Sequence, residues 1–199
     1  MSEIQRQSLT HFIQSLDQNP STLPIHKKMH EGHFQSLIVS FLCWHSLSGY
    51  GRLTKQELTT IITSCETWHA GVVTVLSKLA RSLKVKQFNN ELPQETKKIC
   101  EFAFNAELDI LGKHISTKHK QIKNRNKKQM LNDSCQNIAK FIVISNFRFD
   151  HKEKSEALTL LDYCFGSDQH ILTEQTFNDC LHQAKIKVTS SEQLTLADL

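Results

Sequence analysis

The stretch Phe41–Leu58, FLCWHSLSGYGRLTKQEL, decides how this chain is read. It closes an apolar segment that begins at Phe34 and includes Leu37, Ile38, Val39, Phe41, Leu42, Cys43, Trp44 and Leu47. Those positions cover more than one face of a 3.6-residue repeat, the pattern of a helix surrounded by others. Ser48-Gly49-Tyr50-Gly51 ends the run. Thr54 to Glu57 has the spacing of a capping box, in which a hydroxyl and a carboxylate satisfy the free backbone N–H groups of a new helix. Cys43 and His45 stand two apart, about 200° around a helix, and so cannot form a nucleophile–base pair. They read as a core thiol and a core imidazole.

Working outward, apolar residues recur at helical spacing along the chain. Ile4–Leu16 carries Leu9, Phe12, Ile13 and Leu16 on one face, and Asn19-Pro20 breaks it. Leu23-Pro24 opens a short helix that ends near Gly32, at the left-handed cap position. Leu58, Ile61 and Ile62 belong to a short helix, and Trp68 opens a separate one running to Leu83. Gln87–Leu92 reads as a loop, with Pro93 at the start of a helix through Ile99, Phe102, Ala106 and Leu111. Asn132-Asp133-Ser134 has N-cap chemistry before a helix from Ile138 to Phe149. Two further helices span Ala157–Cys164 and Thr173–Ala184.

The chain has 199 residues with only 6 Gly and 3 Pro, too few turn formers for a strand-rich fold. The expectation is an all-α multi-helix bundle with a smaller helical C-terminal extension. Its boundaries are a bundle domain at 1–115, a basic linker or helix extension at 116–130, a helical unit at 131–186 and a flexible tail at 187–199. No apolar run approaches the ~20 residues of a membrane span. The first residues lack a basic patch followed by an apolar stretch. A cytoplasmic location is therefore expected, with no membrane partner and the six scattered cysteines as reduced thiols.

Two clusters offer chemistry. In IHKKMHEGH, His26 and His30 are four apart and share a helix face, with His33 beyond the glycine. That set suits a zinc-like ion, or is simply three surface histidines. In KHISTKHKQIKNRNKK, Lys113, Lys118, Lys120, Lys123, Arg125, Lys127 and Lys128 place seven positive charges in 16 residues without an acid. Lys78, Arg81 and Lys84 on the preceding helix extend this face. Such a run neutralises phosphates and releases counterions, or is a solvated helix end. It lacks the aromatics needed for base stacking. Glu101, Glu107 and Asp109 are not spaced as an acid–base pair. No phosphate loop, nucleophile elbow or nucleotide fingerprint occurs.

Val39–Lys84, with its Trp-containing apolar helix, Gly-rich turn, Trp68 and basic Leu76–Lys84 end, resembles a proteobacterial family of conserved hypothetical proteins, domain of unknown function 2390. Glu107-Leu108 within EFAFNAELDIL extends the resemblance, which covers about residues 8–112. It implies a small all-helical bacterial protein and carries no catalytic residues or cofactor. The sequence departs from the family at the histidine cluster. The reading reached is a non-enzymatic cytoplasmic binding or adaptor protein with a protein partner and no cofactor. The alternatives are an RNA- or ribosome-associated factor using the basic face, and a metal-binding sensor or enzyme using His26, His30 and His33. Oligomeric state is not legible.

Overall fold

The structure is a computed structural model that describes residues 8–85, 91–116, 125–166 and 170–186. Every regular element among them is a helix. In chain order they are α1 (Leu9–Asp17), α2 (Leu23–His30), α3 (Phe34–Leu47), α4 (Lys55–Trp68), a π-helical turn (His69–Val73), α5 (Thr74–Val85), α6 (Glu91–Ser116), α7 (Lys127–Ser145), α8 (His151–Phe165) and α9 (His170–Gln183). The all-α class expected from the sequence is the class found. No helix among the described residues is long and apolar enough to cross a membrane.

Two compact units divide the chain. One takes Met1–Phe41 and Gln56–Lys120, the other Leu42–Lys55 and Gln121–Leu199. The division differs from a cut near residue 115, because Leu42–Lys55 is held by residues far along the chain. The cause is a buried amide. Asn137 accepts from the Leu53 N–H at 2.9 Å and donates to the Gly51 carbonyl at 3.0 Å. Lys140 donates to the Leu53 carbonyl at 2.6 Å. The Gly-rich exit of α3 thus has its backbone groups satisfied by α7, as burial demands.

The apolar-all-round pattern of α3 has its structural counterpart: Leu37 to Ser46 is buried without interruption. The helix ends in a Schellman motif, with Gly49 at φ 82° and bonds Gly49 N–H to Ser46 and Tyr50 N–H to His45. The same motif ends α2, where Gly32 has φ 86° and the Gly32 and His33 N–H groups reach Met29 and Lys28.

In the first unit, α1, α2 and α6 pack together, and the π turn and α5 pack along α6. Trp68 does not open a helix. It is the last residue of α4, and helical conformation continues through the π turn to Val85. The lone Gly71 did not break the run, since one glycine costs a helix only about 1 kcal/mol. In the second unit, α7, α8 and α9 pack on one another.

Asn132-Asp133-Ser134 is not an N-cap. It lies inside α7, which starts seven residues before Ser134 behind Asn126, paired in a capping box with Gln129. Asp133 and Ser134 are buried, and Asp133 serves as an ion-pair acceptor instead. The helix ends at Ser145 with Asn146 in the left-handed region, so Phe147 and Phe149 fall in the following loop. Asp150 then caps α8 in a box with Glu153. The proposed tail at 187–199 and residues 117–124 of the basic linker lie outside the described residues.

Candidate functional site

The strongest polar constellation in the first unit surrounds Glu107, a residue that sequence spacing gave no reason to single out. Glu107 is fully buried on α6. Its Oε1 lies 2.7 Å from His69 Nδ1 and accepts from the Cys65 thiol at 3.4 Å. His69 Nε2 lies 2.9 Å from the Gly32 carbonyl. A carboxylate and a carbonyl can only accept, so both ring nitrogens must donate and His69 fits best as the imidazolium. Burial works against that charge, but the hydrogen bond and charge of Glu107, with help from the Gly32 carbonyl and Glu66, hold the His69 pKa above its ordinary value. The π turn starts at His69, directly after Trp68, whose Nε1–H donates to the Ala103 carbonyl at 3.0 Å. Widening the helix at this point lets two consecutive bulky residues both engage α6. Such turns recur at functional positions.

This trio is not arranged as a nucleophilic site. Burial and the Glu107 charge push the Cys65 thiol far above its ordinary pKa, so it stays protonated. The thiol faces the carboxylate, not the imidazole. The geometry is that of a buried ion pair clamping α4, the π turn, α6 and the α2 cap.

The histidine cluster is only partly assembled. His26 and His30 stack at 4.6 Å between ring centroids, and His30 stacks on Phe104 of α6 at 4.2 Å. They border a cavity of about 230 Å³ lined by Ile13, Gln14, Asp17, His26, His30, Glu101, Phe104, Asn105 and Leu108. His33 is exposed and is not among these residues. The Gly32 turn carries it off the α2 face. Among the described residues, no group of three or more His, Cys, Asp or Glu could hold a metal ion. The three-histidine metal arrangement therefore lacks its third ligand. Burial, with the neighbouring His26, pulls the His30 pKa down to about 4. Burial also lowers His26, against the pull of Asp17 at 3.5 Å.

The basic residues divide between the units. Lys78 and Arg81 on α5 and Lys113 on α6 are exposed in the first unit. Lys127 and Lys128 are exposed in the first turn of α7 in the second. Arg125 does not belong to a free basic face, since its guanidinium pairs with the buried Asp133 carboxylate. Arg52 donates to the other oxygen of Asp133 at 2.9 Å. The Lys84 side chain, Lys118, Lys120 and Lys123 lie outside the described residues.

Four cysteines that look isolated in sequence meet in the second unit. Cys43 is hydrogen-bonded with Cys164 and Cys135 with Cys180, and Cys43 is close enough to Cys135 to act on it electrostatically. Cys43 thus has a thiol partner, and the His45 ring lies 5.2 Å from that of Tyr50. Hydrogen bonding to Cys180 and burial push Cys135 up, while the bond from Cys135 pulls Cys180 down.

The first unit also exposes apolar side chains on α5 and α6, two helices that pack together. Val75 and Leu79 on α5 are 55% and 48% exposed, and Ile99 and Phe102 on α6 are 52% and 74% exposed. Helical periodicity puts all four on the apolar stripes of their helices. It cannot tell a stripe facing a partner helix from one left open.

No family model, curated protein or solved structure matches this chain. The resemblance of residues 8–112 to domain of unknown function 2390 rests on its motifs alone.

Proposed function

We propose that the chain is a helical protein-binding module whose docking face is built from Val75 and Leu79 of α5 and Ile99 and Phe102 of α6. The observation that carries this reading is the exposure of Phe102, 74% for one of the most costly side chains to leave in water. Val75 and Leu79 are four apart, and Ile99 and Phe102 three apart, so each pair shares its helix face. The two helices pack along each other. Exposed aromatic and aliphatic residues grouped in this way supply the anchors of a protein interface. Lys78 and Arg81 on α5 add positive charge nearby, while Lys97 and Lys98 are offset by Glu101 and Glu95. The partner suited to such a face is an amphipathic segment with acidic flanks.

Photo-crosslinking residues placed at positions 99 and 102 test this reading in the producing cell. Adducts should form there and not from an exposed position on α8 such as Lys152. Phe102→Asp should lower capture of the crosslinked partner by at least ~10-fold, the loss of one hot-spot anchor. Nuclease treatment should leave the adducts intact. No adduct from either position, or undiminished capture by Phe102→Asp, would refute the docking face. Loss of every adduct after nuclease would favour the basic residues and a nucleic acid.

A further inference from the structure

The cavity beside the histidine pair is independent of the docking face and has its own chemistry. Its floor is apolar: Ile13, Phe104 and Leu108 are buried. One wall is a row of tilted rings, His26, His30 and Phe104, with successive centroids 4.6 and 4.2 Å apart and planes 58° and 43° from parallel. The rim carries oxygen acceptors from two helices. Gln14 and Asp17 come from α1, and Glu101 and Asn105 from α6.

The charge balance is incomplete. Asp17 and Glu101 bring two carboxylates. The imidazoles beside them do not cancel this charge at neutral pH, because burial keeps His30 deprotonated down to about pH 4 and lowers His26 as well. The neighbouring cation is Lys97, whose Nζ lies 3.7 Å from Glu101 with a 79% exposed side chain. A pair that open to water contributes little and is readily displaced. The cavity thus offers an apolar floor, tilted aromatic rings with an imidazole face to stack on, and anionic acceptors on facing helices.

We propose that this cavity binds a small guanidinium compound, its planar cation stacked on the face of one of the two imidazoles and donating to Asp17 and Glu101. A guanidinium fits better than an ammonium for two reasons. Its flat, weakly hydrated face stacks on rings, and its fork of N–H donors matches carboxylates. The short aliphatic tail of such a compound lies over Ile13 and Leu108. A cavity of about 230 Å³ is below the ~300 Å³ lower bound of common drug-sized sites, which restricts the ligand to a small molecule.

Calorimetric titration of the full chain, in low-salt buffer with a chelator present, tests the site. The probes are agmatine, putrescine and arginine. Agmatine should saturate one site per chain. Putrescine should bind more weakly because it cannot stack. Arginine should also bind more weakly, since its carboxylate meets Asp17 and Glu101. The double variant Asp17→Asn, Glu101→Gln should lose agmatine at least ~10-fold while its melting temperature holds, both side chains being exposed. Lowering the pH from 7 toward about 4 should weaken binding, as His26 and His30, which face Asp17, Glu101 and Lys97, become cations that repel the ligand. Absence of saturation by ~10 mM agmatine, or equal affinity in the double variant, would overturn the proposal. Binding abolished by the chelator alone would overturn it too, since that outcome requires a metal.

Discussion

At the residue scale, Glu107 and His69 form the pair whose loss should be felt most. Removing one member of a buried ion pair strands the other, so Glu107→Ala should destabilise the protein by about 3–5 kcal/mol in urea unfolding. The pair also sets a pH dependence. His69 holds its proton more tightly folded than unfolded. The stabilisation is therefore complete below the ordinary histidine value of 6.5 and is lost as pH rises through the higher folded value. The urea midpoint should fall as pH rises above the ordinary histidine value of 6.5, and Glu107→Gln should flatten that slope. An unchanged slope in the variant would place the titration elsewhere. A second residue-scale test lies in the other unit. Asn137→Ala leaves the Leu53 N–H and the Gly51 carbonyl without their side-chain partner and should cost about 2–3 kcal/mol. None of this was legible beforehand. Glu107 and His69 are 38 residues apart, and a buried carboxylate carries the same letter as a solvated one.

At the scale of elements, helix content was readable because it depends on local spacing and on the scarcity of breakers. The limits of α3 and the left-handed cap at Gly32 followed from the same local rules. The joining of α4 and α5 did not, because it runs through a π turn at which Trp68 and His69 both find partners on α6, far along the chain. Two glycines separate these effects. Gly71 lies in the helical run with open space where a Cβ would go, so Gly71→Ala should raise stability by about 0.5–1 kcal/mol. Gly32 sits at φ 86°, so Gly32→Ala should cost about 1–2 kcal/mol through the left-handed backbone. Thermal melts of the two variants should move in opposite directions. A loss of stability in Gly71→Ala would mean that the π turn needs its glycine.

At the scale of the whole molecule, the chain does not divide where its charge pattern changes. Leu42–Lys55 belongs with α7 to α9 although residues 56–120 intervene. A fragment ending at residue 115 would therefore leave this segment without Asp133, Asn137 and Lys140. Leu42 and Leu53, both fully buried in the whole chain, should then meet water. Such a fragment should bind a hydrophobic dye more strongly than the full chain does and should lack the full chain's sharp melting transition. A cooperative melt of the fragment would show that the first unit needs nothing from the second.

The sequence by itself determined that this protein is helical, where most helices lie and which of them is wrapped on all sides. Those properties follow from the spacing of apolar residues and from backbone caps, both local. Tertiary structure alone decided which polar residues matter. It buried Glu107 against His69, gave Asp133 to Arg52 and Arg125, and set Asn137 against the exit of FLCWHSLSGYGRLTKQEL. It also placed two histidines on a cavity and a third in solvent, and it left Phe102 uncovered. The reason is that a side chain's chemistry is set by its desolvation and its partners, and both come from segments far away in the chain.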